Sequence, residues 1–337
     1  MQIVYPYSDY IKKEELSPTQ FIEMIGRTCY KSTDKIAEGT DKTFVHGLCK
    51  SKHYAMIEHF WVHCISRITY ADFMEDLRYF STHILKKCGG ESDLLKHIQI
   101  TWTGDKLFIS CPIRVVVEMI ETQKVKDWNR RTFFQWCLSC VKAYPDFFNG
   151  EEENILSTKF YWYDEQSFIE ELKNALWDKS TLVSNEEIMK HRTHTIKFLC
   201  DRGVTHELVR HRPCSFAQES QRYCNYAKDK FGGEVLFVKP CFWQEDSPEY
   251  QDWKNACSYA ETTYLRLLNR GATSQEARTV LPNSVKTEII VTANETEWQH
   301  IVDLRYHGTT GVPHPQMKEV MSFAYHTLRE KSEGRVE

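Results

Sequence analysis

Pro213 constrains the fold more than any other residue in this chain. It follows Thr205-His206-Glu207-Leu208-Val209-Arg210-His211-Arg212, and proline drives the residue before it out of helical geometry. A helix entering this stretch therefore ends at the Arg-His-Arg triplet. Upstream, Thr195-Ile-Lys-Phe-Leu-Cys200 reads as a strand, and Asp201-Arg-Gly203 turns the chain into a helix that begins near Val204. Strand, turn and stopped helix together place a basic cluster at a helix C-terminus, where unpaired carbonyls favour cations. Val204 and Leu208 share the expected core face of that helix. His206 and Arg210 share another, and Glu207 lies one turn before His211.

The text after the stop runs Arg210-His-Arg-Pro-Cys-Ser-Phe-Ala-Gln-Glu-Ser-Gln-Arg-Tyr223. Three guanidiniums and one carboxylate among fourteen residues point to an anionic ligand, because each guanidinium is always charged and forked to match phosphate or carboxylate. A net charge of −4 over 337 residues argues against a protein that coats nucleic acid and suits a small anion held locally. Phe216 and Tyr223, interleaved with the arginines, keep a single-stranded nucleic-acid binder as the competing class, although no second basic stripe accompanies them. With 41% hydrophobic and 27% charged residues, the chain reads as an ordinary globular protein able to bury a sizeable core. No signal-like N-terminus and no apolar run of membrane-spanning length is visible, so a cytoplasmic location with no membrane partner is expected. The twelve cysteines read as reduced thiols. Cys137 and Cys140 have metal-compatible spacing but no second pair, and read as core or helix-surface residues; no metal site is expected. His191, His194 and His206 read as structural, since a strand separates the first two from the third.

Elsewhere, Ser17-Pro18-Thr19-Gln20 forms a capping box with proline at the first helical position, opening a helix through Phe21, Ile22 and Ile25. Phe60, Val62 and Cys64 alternate as in a strand. Ile98–Trp102 and Leu107–Ser110 form a hairpin around Thr103-Gly104-Asp105-Lys106. From about 70 to 190 the pattern is mostly helical, with Glu151-Glu152-Glu153 as a solvated loop. Asn294 caps a later helix, with Glu297 completing a box-like pair. On that helix Trp298, Ile301, Val302 and Arg305 form one stripe. Burying an arginine on an apolar stripe is costly unless it is paired or faces a ligand cavity, which singles out Arg305. The fold class these elements imply is α+β, with a mixed, largely antiparallel sheet flanked by helices. One domain covers 1–337, with a largely helical expansion at about 70–190.

From Asp201 to Pro240 the chain resembles the flavin-dependent thymidylate synthases, in Asp-Arg-Gly-Val-Thr-His-Glu-Leu-Val, in the Arg-His-Arg…Ser motif and in the following Cys-Asn-Tyr. Further blocks resemble the family in the same order: Gly26-Arg27-Thr28-Cys29-Tyr30-Lys31, His53 with Glu58-His59, Ala277-Arg278-Thr-Val-Leu-Pro282, Thr292-Ala-Asn294, Leu304-Arg305 and His314-Pro315-Gln316. The resemblance covers somewhat over half of the chain and leaves out roughly Tyr70 to Lys190. It implies FAD as cofactor, NADPH and methylene-tetrahydrofolate as co-substrates, and reductive methylation of dUMP to dTMP in a homotetramer with shared active sites. By position it implies that Arg210, His211 and Arg212 face FAD and the nucleotide. Glu207, Gln218, Glu219, Ser220 and Arg222 would hold dUMP, with Ser220 and Arg222 near its phosphate. Arg278 would reach dUMP from a neighbouring subunit, and Arg305 would polarise the uracil; Arg305 and Ser220 are the catalytic candidates. Cys29, His59, Glu219, Asn294 and His300 fall with the flavin contacts. The family needs no thiolate, so Cys214 and Cys224 carry no expected role. Three departures stand out: Pro213-Cys214 after the triplet, Glu207 where many members have glutamine, and Thr296 where some have arginine. A pyrimidine-nucleotide hydroxymethylase acting on dUMP or dCMP stays open, because spacing does not report the fate of the transferred carbon.

Overall fold

A computed structural model of the chain describes every residue except 80–95, 122–131, 149–158, 178, 180, 228–231 and 337. Its strands in chain order are β1 (Gln2–Val4), β2 (Tyr7–Tyr10), β3 (Trp61–Ser66), β4 (Gln99–Trp102) and β5 (Leu107–Pro112). They continue with β6 (Phe160–Tyr163), β7 (Thr193–Asp201), β8 (Ser215–Gln218), β9 (Leu236–Val238) and β10 (Lys286–Asn294). Two four-stranded sheets result, in the orders β2-β7-β10-β8 and β4-β5-β3-β6, both antiparallel throughout. Parallel pairing among the described residues is confined to β1 with β9. The mixed, largely antiparallel α+β class is therefore what the chain adopts.

The helices begin with α1 (Pro18–Cys29), which opens on the predicted capping box: Ser17 accepts from the Gln20 N–H and Gln20 accepts from the Ser17 N–H. Gly26 lets α1 approach α2 (Thr40–Lys50) so closely that a Cβ there would lie 2.6 Å from the Phe44 ring. Then come α3 (Tyr54–Ile57), α4 (Tyr70–Tyr79), α5 (Ile113–Glu121), α6 (Thr132–Ala143), α7 (Glu165–Ala175) and α8 (Thr181–His191). Within the stretch expected to be mostly helical, the predicted hairpin is present as β4 and β5, and an unpredicted strand, β6, pairs with the other edge of β3 and completes its sheet. Short apolar strands such as Phe160–Tyr163 carry too little periodicity to stand out between amphipathic helices. β3 itself is buried at every residue instead of alternating, because both its faces are covered. The hairpin turn falls where expected, with Gly104 at φ +101°. The run at 151–153 lies outside the described residues.

Cys137 and Cys140 are buried core residues of α6. His191 is held by Ser110 Oγ at 2.6 Å and Thr101 Oγ1 at 2.9 Å. His194 sits between the Tyr10 hydroxyl at 3.0 Å and the Glu295 carboxylate at 2.9 Å, while His206 is exposed. His191 and His194 are thus held in the core by hydrogen bonds, and His194 lies within β7 instead of before the strand as expected. Among the described residues no helix is long and apolar enough to cross a membrane.

The central pair β7 and β10 aligns from Lys286 opposite Asp201 to Asn294 opposite Thr193. Strand alternation gives its two faces different chemistry. Ile196, Phe198, Ile289 and Val291 form an apolar face against α9 (Arg202–Leu208), α12 (Glu295–Val302) and α13 (Pro315–Lys331). Between α9 and α12 the chain forms α10 (Pro248–Asn269) and α11 (Ser274–Ala277). The opposite face carries Thr195, Lys197, Lys286, Glu288 and Thr292, and buried polar groups must be paired. They are. Lys286 Nζ donates to Glu288 at 2.6 Å and to Glu219 at 2.9 Å, Lys197 Nζ lies 2.9 Å from Glu288, and Lys31 pairs with Glu288. Burial opposes ionisation of Glu288, but Lys286 and Lys31 outweigh it and draw its carboxyl down to about 2.

Candidate active site

Asp201 caps α9 by accepting from the Val204 N–H at 2.8 Å, which is the local reason the chain turns from strand to helix there. The helix closes at Leu208, slightly earlier than Pro213 alone dictates. The Arg210 and His211 N–H groups bond back to the Glu207 and Leu208 carbonyls in tight turns, so the triplet follows the helix instead of finishing it. Val204 and Leu208 face the core as expected.

Asn294 caps α12 by accepting from the Glu297 N–H at 2.9 Å, and its amide donates to the Lys190 carbonyl at 3.0 Å. Trp298, Ile301 and Val302 are fully buried. The helix then widens into a π-turn over Asp303–His307, a geometry that re-aims side chains and recurs at functional sites. Arg305 emerges there at the edge of the stripe and reaches over the C-terminal end of α9. Its Nη1 donates to Glu207 Oε2 at 2.8 Å, its Nη2 to the Glu207 carbonyl at 3.2 Å, and its Nε to His211 Nε2 at 3.1 Å. Glu207 and Arg305 line a cavity of about 510 Å³ together with Leu304, Thr310, Pro313 and His314. The arginine on an apolar stripe is thus both paired and turned to a cavity. The pairing also disposes of the repulsion that a free Glu207 carboxylate would exert on an anion.

His211 is buried, with Glu297 Oε1 3.4 Å from its Nδ1 and the exposed His300 ring 5.6 Å away, edge-on. His211, Glu297 and His300 each present a ligand atom within 4.8 Å of the others. The donor set does not suit a cation, however. Arg305 Nε can only donate, so His211 Nε2 accepts and Nδ1 carries the proton that a metal would have to displace.

A second group gathers at the opposite end of α9, where Arg202 Nη2 donates to the Glu219 carbonyl at 3.0 Å. Gln218 and Glu219 are neighbours in sequence, yet they diverge to opposite faces of the sheet. Gln218 Nε2 donates to Thr205 Oγ1 at 3.0 Å and Thr287 Oγ1 at 3.3 Å. Glu219 turns into the lysine network, one oxygen accepting from the Tyr226 hydroxyl at 3.0 Å and the other from Lys286 at 2.9 Å. The Ser220 N–H donates to the Cys29 carbonyl at 3.3 Å, and the Arg222 guanidinium lies over the Tyr223 ring at 5.7 Å. Cys29 meets this loop through its backbone; burial pushes its thiol up to about 12. Burial likewise pushes the Cys214 thiol well above its ordinary value, so the neighbouring arginines do not make it a thiolate.

The remaining predicted residues are dispersed. Arg210, Arg212 and Arg278 are exposed, and their guanidiniums find no partner among the described residues. His59 is buried, its Nδ1 2.7 Å from Thr292 Oγ1, while its Nε2 has no hydrogen-bond partner among the described residues. Burial lowers its pKa to about 3, so it is neutral at physiological pH. Sequence reasoning missed Lys286, gave Lys31 no role, and took Glu297 as a capping partner when its side chain points to His211. A lysine and a glutamate at alternate positions just before the apolar run Ile289-Ile-Val291, Lys286 and Glu288, were the available sign of a charged inner face.

Comparison with known proteins bears on this arrangement. The flavin-dependent thymidylate synthase of Pyrococcus furiosus is 40% identical over 122 residues, covering 36% of this chain and 49% of the relative. That of Geobacter sulfurreducens is 33% identical over 132 residues, covering 39% of this chain and 55% of the relative. The chain spans about half the length of the curated relatives it matches. Among solved structures, the UMP/dUMP methylase PolB from Streptomyces cacaoi, bound with 5-Br dUMP, aligns at a TM-score of 0.37 and 23% identity over 51% of this chain and 84% of that one. A family model described as thymidylate synthase complementing protein matches residues 146–330, beginning inside the stretch set aside as an expansion and taking in α9, the Arg-His-Arg triplet, β10 and Arg305. With more than half of its residues matched, the chain belongs to the thymidylate synthase complementing protein family.

Proposed function

We propose that this protein reductively methylates dUMP to dTMP, with FAD as cofactor, methylene-tetrahydrofolate as carbon donor and NADPH as reductant. The observation that carries the reading is Arg305, a guanidinium delivered by a buried stripe to the edge of a cavity and fixed there by Glu207 and His211. A guanidinium has more N–H donors than the three hydrogen bonds it makes here, which leaves donors for a uracil carbonyl. Negative charge that develops on the ring carbonyls as carbon 5 is activated would meet a donor already in place, an arrangement worth about 10²–10³ in rate.

The residues present fit a flavin. His59 Nε2 is a buried polar atom without a partner among the described residues, and the unpartnered guanidiniums of Arg210 and Arg212 suit a pyrophosphate. Those residues, with His211, Asn294 and His300, would hold FAD. When bound, FAD would supply the reducing equivalents. Ser220 and Arg222 would take the dUMP phosphate, joined by Arg278 from a neighbouring subunit of a homotetramer. Fixed cations on the phosphate would hold carbon 5 in register, turning an encounter into a local event.

The test is to incubate purified protein with dUMP, methylene-tetrahydrofolate, FAD and NADPH and to identify the nucleotide product by mass. A flavin-dependent gain of a methyl group supports the reading. A hydroxymethyl product would overturn methylation while keeping the site, and unchanged dUMP with no flavin bound would overturn both.

A further inference from the structure

We propose that Glu297 is a positioning residue which, through the buried imidazole of His211, selects the tautomer that holds Arg305 at the cavity. The inference rests on the reading of Arg305 as the residue that meets the uracil.

Arg305 Nε carries one hydrogen and has nothing to accept with, and it lies 3.1 Å from His211 Nε2. That nitrogen must therefore be bare, and a neutral ring then carries its proton on Nδ1. In free histidine the proton prefers Nε2, so something at Nδ1 has to favour the other form; which nitrogen is protonated is set by what the other one meets. Glu297 Oε1 is there, 3.4 Å away, buried, and without a hydrogen-bond partner among the described residues. The distance is long for a hydrogen bond but close enough for the carboxylate to favour a proton on the facing nitrogen.

The backbone makes the arrangement stiff. The Glu297 N–H is fixed by the Asn294 cap at 2.9 Å in the first turn of α12, and Arg305 leaves the π-turn at the other end of the same helical segment. His211 comes from the turn after α9 and bridges the two. With the proton on Nε2, two donors would face each other across the His211–Arg305 contact. A doubly protonated ring would add like charge. Either state would leave the guanidinium held by Glu207 alone. The charged and titratable groups around His211 are Arg305 from the π-turn, Glu297 and His300 from α12, and Glu207 from α9 through Arg305.

The experiment uses the whole chain. Nitrogen-15 NMR of the histidine rings in the wild-type protein reads the tautomer of His211, identified by its loss in His211→Asn. Kinetics with dUMP are then compared for wild type, Glu297→Leu and Glu297→Gln. We expect a bare Nε2 in the wild type and a kcat about 10- to 100-fold lower in Glu297→Leu with a much smaller change in the KM for dUMP. Glu297→Gln keeps an acceptor for the Nδ1 proton and should restore most of the rate, which a purely structural role for the charge would not predict. A proton on Nε2 in the wild type, or wild-type kcat in Glu297→Leu, overturns the proposal. Absence of dTMP formation by the wild type would instead sink the functional reading, and the ring spectrum would still decide the relay; a Glu297→Leu protein that does not fold leaves that decision to the wild-type spectrum and Glu297→Gln.

Discussion

Glu207 Oε2 lies 2.8 Å from Nη1 of Arg305, so a carboxylate is built into the edge of the cavity beside its guanidinium. The two side chains are 28% and 20% exposed, and a pair this accessible contributes about 1 kcal/mol or less to stability. Its effect is to aim the guanidinium and to offset part of its charge. Glu207→Gln keeps an acceptor for Arg305 but removes the offset. The variant should bind dUMP about 2- to 5-fold more tightly, with a steeper dependence on salt and little change in melting temperature. Calorimetric titration at two ionic strengths checks this, and unchanged affinity would rule the offset out.

Arg305→Ala should lower kcat by about 10²–10³ while leaving the fold nearly intact, because Trp298, Ile301 and Val302 hold the stripe without it. A thermal melt beside a single-turnover assay separates the two effects. A variant with near wild-type turnover would remove Arg305 from the chemistry.

Lys286→Met should destabilise the fold by up to about 3–5 kcal/mol, since it takes from Glu219, which is only 1% exposed, its nearest cation, and leaves it beside Glu288 with the Tyr226 hydroxyl and Lys31 at 3.6 Å. Adding Glu219→Gln should recover part of the loss. Urea denaturation of the two singles and the double variant measures the coupling, and simple additivity would mean that the ion pair is not what holds this face.

Acid should weaken the protein through its buried histidines. Burial lowers His59 to about 3, and burial together with the charge of His63 lowers His191 to about 3. Both fall below the unfolded value of about 6.5. In that window the unfolded chain binds more protons than the folded one, so stability is fully present above about pH 6.5 and is lost as pH falls toward 3. Each histidine should contribute a slope of up to about 1.4 kcal/mol per pH unit. His191→Gln should flatten the acid limb of a plot of unfolding free energy against pH; an unaltered slope would show that His191 is not buried neutral.

Gly308 ends the π-turn at φ +76°, where a Cβ would lie 2.8 Å from Pro313 Cδ and 2.9 Å from the Gly311 carbonyl. Gly308→Ala should cost about 1–3 kcal/mol and displace the loop that closes one side of the cavity. We expect the KM for dUMP to rise with kcat less affected. Kinetics indistinguishable from wild type would mean that the loop does not shape the site.

Features written within one turn of chain were legible in advance. Ser17 and Gln20 cap α1, Asp201 turns the chain into α9, and Gly104 closes the hairpin, because in each case the residues that decide the conformation are also the residues that adopt it. Arg305 was legible for the same reason, as a charge out of place on a helical stripe. What depends on distant partners was not. Gln218 and Glu219 look like one functional unit in sequence, but strand alternation sends them to opposite faces. The Glu297 carboxylate lies 3.4 Å from His211, which belongs to another part of the chain, and a local capping rule has no means of seeing that approach. β6 was hidden likewise: the hairpin of β4 and β5 was legible from its turn, but the pairing of Phe160–Tyr163 with the far edge of β3 is a relation between segments and leaves no period within either.

β3 lies between β5 and β6, both drawn from the stretch that follows it in sequence. Cutting out residues 70–190 to reach a minimal catalytic core would therefore expose both edges of an apolar ribbon, each a row of open amide and carbonyl groups ready to recruit the same ribbon from another copy. The stretch works as a keystone for the part that precedes it, and a truncated chain should precipitate before its catalysis could be assayed.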